Sequence, residues 1–381
     1  MLPTAAALTL LQARLGQLDT GTKLTRFAVL STVGAVTALA ANIAFGLLSD
    51  RTRSRYGRRN PWIAVGGFAA AGCISSMSFA DSFPGLLALV AAFQVALNAM
   101  LAPLYAVLPD RVPSGRMGKA AAWVGLGVLV GQSLGAVAAG AFVTSPSVGL
   151  RWLPWLAAVG GVLFFFTAPD TSSKDLPQPP FSVRELGRNL LPPKDTDFFW
   201  ALAGRLIALL GVNLVLVYQL YVLTDHLRLS TAQAGSVIAL GAIISAPASG
   251  LAIAVCGPLS DRLGRRKVFI VAGAIVMAAS IVPLALAPAR WSFYVFAGAA
   301  ALGWGCLSAV DQAVVSEVLP NQHNRAKDLG FLNVANTVPQ LIAPVAASLL
   351  VPAFGYRTLF AVAIVLTLAG GLCILPLRRV T

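Results

Sequence analysis

Two clusters of carboxylate and guanidinium stand out in this chain. Asp50 and Arg51 precede Gly57, Arg58 and Arg59 in GLLSDRTRSRYGRRNPW (46–62). Gly257, Asp261 and Arg262 precede Gly264, Arg265, Arg266 and Lys267 in GPLSDRLGRRK (257–267). Each cluster follows a long apolar run. An Asp at a helix end can accept backbone donors from a neighbouring helix N-terminus. Arginines can bridge carboxylates at adjacent helix ends. Such chemistry makes and breaks contacts between helices. Asp110, which closes another apolar run, is the expected partner of Arg58 or Arg59, and Glu317 and Asp328 are candidates for the second copy.

Ionisable groups inside an apolar run are costly and usually functional. Arg205 and Asp311 are such groups. Arg205 lies seven residues after Phe198 and Asp311 seven before Val318, so both sit roughly 10 Å deep from the same face. We expect them to pair, either under a substrate or as a switch broken by it, with Asp311 able to carry a coupling proton, or else as a permanent structural ion pair. Gln94 and Asn98 share a helix face, Gln132 lies in the next apolar run, and Tyr218, Gln219 and Tyr221 lie near the far end of the Arg205 run. Asn333, Asn336 and Gln340 form one stripe. Amides and phenols suit a neutral polyol, but such groups also bind helices to one another at about 0.6 kcal/mol each. Arg205 and Tyr218 are thirteen residues apart, so an unbroken helix points them to opposite sides unless Gly211 bends it.

Catalytic and metal chemistry find no support. His226 and His323 are far apart in expected loops, which argues against a metal site or a Ser-His arrangement. There is no Walker loop for ATP. Cys73, Cys256, Cys306 and Cys373 all fall in apolar runs and read as small core residues. No cofactor is expected.

The elements that must position these groups are membrane helices. Hydrophobic residues make up 57% and charged residues 11%, with a mean hydropathy of +0.79. Soluble domains carry about 25% charged residues. The net charge of +14 is not a nucleic-acid footprint, because Lys and Arg cluster after alternate runs, five in 51–59 and four in 262–267. That is the positive-inside asymmetry of a multi-pass membrane protein. It puts the basic loops and the C-terminus on the cytoplasmic side, facing anionic headgroups.

Spans of about 20 residues are expected near 25–49, 61–80, 83–108, 120–145, 149–168, 198–224, 231–258, 268–288, 291–318, 329–352 and 357–377. A twelfth, 2–17, is short. Gly46 and Gly257, Asp50 and Asp261, and Leu108 and Leu319 all keep an offset of 211 residues, so one ancestral half is written twice. Projecting the start of the seventh span back by that offset lands before Met1. The first helix is therefore read as N-terminally truncated, by a misassigned start or natural clipping. A signal peptide is the rival, though no basic n-region precedes the apolar run. The expected fold is an all-α polytopic membrane protein. Its two pseudo-symmetric six-helix bundles, 1–168 and 198–381, are joined by a Pro-rich linker, 169–197, read as a solvated loop. Gly127, Gly131 and Gly135, spaced by four, are expected to let another helix approach closely.

The loop Gly257-x-x-x-Asp261-Arg262-x-Gly264-Arg265-Arg266-Lys267 resembles the signature loop of the major facilitator superfamily. The first copy, DRTRSRYGRRNPW, is four residues longer and resembles the version in glycoside–pentoside–hexuronide symporters and sucrose transporters. The resemblance implies a monomeric plasma-membrane secondary transporter working by alternating access, with sugars or glycosides as the first-choice solute. It implies that Asp50, Arg51, Gly57, Arg58, Arg59, Asp110, Gly257, Asp261, Arg262, Gly264, Arg265, Arg266 and Glu317 form a cytoplasmic gate. It also implies that the seventh and tenth spans line the cavity. GVLVGQSLGA (127–136) resembles the antiporter motif of drug exporters, with Gln132 where that motif has proline, so efflux of hydrophobic compounds is the second reading. A transport-inactive sensor is a third. The first half holds no carboxylate in its membrane part, which argues against melibiose-type sodium coupling.

Overall fold

The computed structural model describes residues 2–18, 21–113, 117–174, 196–318 and 325–377. The side chains of 2–5, 18, 109, 117–119, 121–122, 311–318 and 325–337 lie outside the description. Two compact units result, Met1–Phe181 and Ser182–Thr381.

Unit 1 contains α1 (Leu2–Leu18), α2 (Lys23–Arg51), α3 (Asn60–Met77), α4 (Phe83–Arg111), α5 (Met117–Phe142), α6 (Pro146–Trp152) and α7 (Trp155–Thr167). Unit 2 contains α8 (Thr196–Leu216), α9 (Thr231–Leu263), α10 (Arg266–Leu286), α11 (Arg290–Val318) and α12 (Arg325–Leu372). Among the described residues there is no strand, and nine helices are long and apolar enough to cross a membrane. In a bilayer each backbone N–H and C=O must find its partner within the segment, and the helix does this. Polar residues work at the ends: Ser82 accepts from the Gly85 N–H at the start of α4, and Ser230 with Gln233 forms a reciprocal capping box at the start of α9.

Several expected spans differ in detail. The span 149–168 is two helices, because Leu153 and Pro154 interrupt it and proline lacks the N–H that would continue the ladder. The span 198–224 begins at Thr196, stops at Leu216, turns through Val217 and Tyr218, and ends in a π-helical turn, Val222–His226. The span 231–258 runs on to Leu263 through Pro247 and Pro258. The last two spans are continuous except at Gly355, whose φ of 79° and ψ of 173° break the helix.

The short first helix is an integrated part of unit 1. Ala6, Leu10 and Leu15 are buried, α1 packs on α5 and α6, and Arg14 pairs with Asp81 at 3.2 Å. In unit 2, α8 and α12 approach at backbone contact. A Cβ on Gly211 would collide with Thr367 Oγ1 and lie 2.6 Å from the Ala363 carbonyl, and one on Gly370 would collide with the Ala208 backbone. Small residues permit this closeness. The core beside them is Phe198, Ala201, Val212, Ile270, Met277, Leu307, Val310, Ile374 and Leu377.

Candidate functional site

The basic loop of unit 1 is a folded clasp. Ser49 and Asp50 close α2, and Arg59 immediately precedes α3. The Arg59 side chain is only 6% exposed. It holds Asp50 Oδ1 at 2.6 Å and Asp110 Oδ2 at 3.0 Å, and its Nη1 donates to Ser49 Oγ at 2.5 Å. Arg58, 33% exposed, reaches the same Asp110 oxygen at 2.9 Å. Asp110 therefore meets both arginines. A buried guanidinium is tolerable only with its charge matched and its donors satisfied, and here the ends of α2, α3 and α4 supply that match.

The clasp extends to the end of α7. Arg111 pairs with Asp170 at 3.0 Å. It also donates to the Ala168 carbonyl at 3.0 Å and to Asn60 Oδ1 at 2.7 Å, while Asn60 Nδ2 donates to the same carbonyl at 2.9 Å. Gly57 adopts φ +82°, and a Cβ there would collide with the Asp170 carboxylate. Ser173 is buried, accepts from the Ser54 N–H at 3.0 Å and lies 3.2 Å from the Thr52 carbonyl. Thr52 in turn accepts from Trp62 Nε1 at 2.7 Å. The linker is therefore no mere solvated loop at its first residues. Sequence reasoning missed Ser49, Asn60, Arg111, Asp170 and Ser173. The available signal was electrostatic: Asp170 ends an apolar run at the same level as Asp50 and Asp110, beside an excess of arginine.

The second copy is described on one side only. Asp261 is 70% exposed and lies 3.7 Å from Arg266. Arg262 and Arg265 are exposed. Gly264 ends α9 in the left-handed conformation, φ +60°, which glycine adopts without strain. Gly257 lies on α9 with Ala309 as its nearest neighbour. Lys267 donates to the Leu377 carbonyl at 2.5 Å, fastening the start of α10 to the chain beyond α12. The side chain of Glu317 lies outside the described residues.

The intramembrane candidates separate. Asn98 is buried between helices, donating to the Gln94 carbonyl at 2.9 Å and accepting from Asn42 Nδ2 at 3.1 Å. It ties α2 to α4. Gln94 is half-buried with its amide against Gly34. Gln132 is exposed on α5, and Gly127 meets no neighbour within its unit. Arg205 is half-buried on α8. Asp311 on α11 and Asn336 on α12 have side chains outside the described residues, as have Asp328 and Asn333, and Gln340 is exposed.

Tyr218 is fully buried and its hydroxyl donates to the Pro344 carbonyl at 2.9 Å, with the Tyr221 ring 5.7 Å away. The helix turns between Arg205 and Tyr218, but at Val217 rather than at Gly211. Gly211 serves the α8–α12 contact instead. His226 is not in a free loop either. It ends the π-helical turn, half-buried, with Nε2 3.0 Å from the Leu284 carbonyl. Among the described residues no cluster of three or more His, Cys, Asp or Glu could hold a metal.

Two helical units, each with a basic loop at the end of its second long helix, define a multi-pass membrane protein. The Major Facilitator Superfamily profile matches residues 2–253 and 201–381, and the chain belongs to that family, one of transporters and not of enzymes. It is 30% identical over 190 residues to the inner membrane transport protein YajR of Escherichia coli, covering 50% of this chain and 35% of that protein. The chain spans about a third of the length of the curated relatives it matches. Its fold is similar to that of a D-xylose–proton symporter, with TM-score 0.67, 17% identity, and coverage of 100% of this chain and 97% of the other. It is likewise similar to a bacterial homologue of the human lysosomal transporter Spinster, solved inward-facing and occupied. There the TM-score is 0.66, the identity 15%, and the coverage 100% and 96%.

Proposed function

We propose that the chain is a secondary transporter of a small polar organic solute, a sugar or glycoside first, working by alternating access. The unit 1 clasp carries this reading. A buried guanidinium shared by the ends of three helices is a costly device for merely orienting a loop, and a natural one for an end that must close and reopen. In this reading the basic loops and the C-terminus face the cytoplasm, and anionic headgroups meet the exposed arginines. The sugar preference draws on the amides and phenols of the spans, and on a fold shared with a D-xylose–proton symporter. The longer first loop, DRTRSRYGRRNPW, favours the glycoside–pentoside–hexuronide branch. Asp311, which we propose pairs with Arg205, is the group proposed to carry a coupling proton.

The test is counterflow of labelled pentoses, hexoses and glycosides in proteoliposomes. Saturable accumulation of one of them is expected. Asp311→Asn should abolish accumulation driven by a proton gradient at unchanged protein abundance. A panel in which no sugar accumulates sinks the substrate class, and loss of the protein itself with Asp311→Asn makes the pair structural.

A further inference from the structure

Two of the four cysteines meet inside unit 2, where α9 and α11 lie side by side. A Cβ on Gly305 would stand 2.8 Å from the Ala252 Cβ, and one on Gly257 would stand 3.9 Å from the Ala309 Cβ. Cys256 and Cys306 sit between these two contacts, on neighbouring turns. The Cys306 thiol donates to the Phe269 carbonyl of α10 at 3.3 Å, and it also hydrogen-bonds Cys256. A thiol has one hydrogen. With that of Cys306 given to Phe269, Cys256 donates and the Cys306 sulfur accepts. The two sulfurs are therefore direct neighbours, that of Cys256 half-buried and that of Cys306 buried. The sequence repeat does not require them, for at the offset of 211 residues the first half has Phe45 and Val95. A single buried thiol behaves as a small hydrophobe, but two in contact are a chelating pair.

We propose that Cys256 and Cys306 form a dithiol site for trivalent arsenic, taken up as arsenous acid or as a monosubstituted organoarsenical. The reaction is a condensation: RAs(OH)2 and two thiols give RAs(SR′)2 and two waters. Two As–O bonds break and two As–S bonds form. Each thiol proton leaves with a hydroxide as water, and arsenic stays trivalent, so no oxidant or reductant is needed. Ligand and product are both uncharged, which suits a membrane interior where charge is costly. Soft sulfur ligands also select monovalent copper and silver, but those would leave a charged bis-thiolate in apolar surroundings. Divalent mercury gives a neutral product, yet it prefers sulfurs on opposite sides of the ion, whereas a pyramidal arsenic takes two that are side by side. Val255 and Leu259, which flank Cys256 on α9, are exposed within unit 2, so an uncharged ligand can approach along an apolar surface. Once one sulfur has reacted, the second step is intramolecular and is favoured by its high effective concentration. The adduct ties α9 to α11 covalently.

The probe is phenylarsine oxide, added to the full-length protein in detergent after reduction with a phosphine and followed by intact mass spectrometry. One adduct per chain is expected, released by a dithiol such as 2,3-dimercaptopropanol and resistant to a monothiol. Cys256→Ala and Cys306→Ala should each weaken the apparent affinity by about a hundredfold or more, the loss expected when a two-point attachment becomes a one-point one. Cys73→Ala and Cys373→Ala should bind as wild type does. Wild-type affinity in either Cys256→Ala or Cys306→Ala, or no adduct on the wild-type chain, overturns the assignment. If those variants do not fold, wild type alone decides. The loaded protein is denatured, labelled with N-ethylmaleimide and digested. Peptides with Cys256 and Cys306 shielded while Cys73 and Cys373 are labelled sustain the site, and labelling of Cys256 or Cys306 with the adduct in place overturns it. Neither measurement needs a transported solute, so failure here and failure of the counterflow test are separate results.

Discussion

Arg58 and Arg59 are neighbours in sequence and share one carboxylate, yet their removal should differ sharply. Arg59→Met leaves Ser49, Asp50 and Asp110 without their shared donor. Arg58→Met removes only a second, outer contact to Asp110. Breaking a buried ion pair by deleting one partner costs about 3–5 kcal/mol. Asp50 and Asp110 remain 42% and 24% exposed at their side chains, so water recovers part of that, and about 3 kcal/mol is the better figure. The Arg58 contact is partly exposed and worth about 0.2–1 kcal/mol. At about 2–4 °C per kcal/mol for a unit of this size, Arg59→Met should lower the melting temperature by about 6–12 °C. Arg58→Met should lower it by about 4 °C at most. Thermal unfolding in detergent, followed with a thiol-reactive dye that reports exposure of the apolar cysteines, measures both at one scan rate. Equal shifts, or a larger one for Arg58, would refute the reasoning that burial and not charge number sets the strength of this clasp.

Two further substitutions test the packing. Gly57→Ala should cost well over 1 kcal/mol, because it combines a left-handed backbone with a collision at Asp170, whereas Gly257→Ala should be tolerated, its nearest neighbour lying 3.9 Å away; purified yield and melting temperature of the two variants check this. Gly211→Ala should destabilise unit 2 by about 1–3 kcal/mol through overpacking against α12, read as a lower melting temperature, with no change expected in unit 1 contacts probed by cysteine accessibility at Cys73.

The sequence made most of the helices legible because uninterrupted apolar runs bounded by charge leave the backbone one solution in lipid. The Asp110 contact was legible too, since few carboxylates share the level of the basic loop. The turn at Val217 was not. No proline or glycine marks it, and the buried Tyr218 hydroxyl reaching Pro344 is a tertiary contact that outweighs local helical propensity. Asn98 was read for its polarity, but polarity alone does not separate an amide facing solute from one facing Asn42 across a helix pair. The role of Asp170 was hidden for a different reason: it lies in a Pro-rich stretch whose composition signals a linker, while its partner Arg111 is 59 residues earlier in the chain.

The fastening of Asp170 and Ser173 to the loop at 52–57 has a practical corollary for anyone expressing the two halves as separate polypeptides. A fragment ending at 168, where the hydropathy of the seventh helix ceases, would strip Arg111 of its counter-ion and Ser54 of its hydroxyl acceptor. One ending at 174 would keep both. The functional edge of the first half is therefore drawn six residues beyond its apolar edge, by hydrogen bonds instead of by lipid.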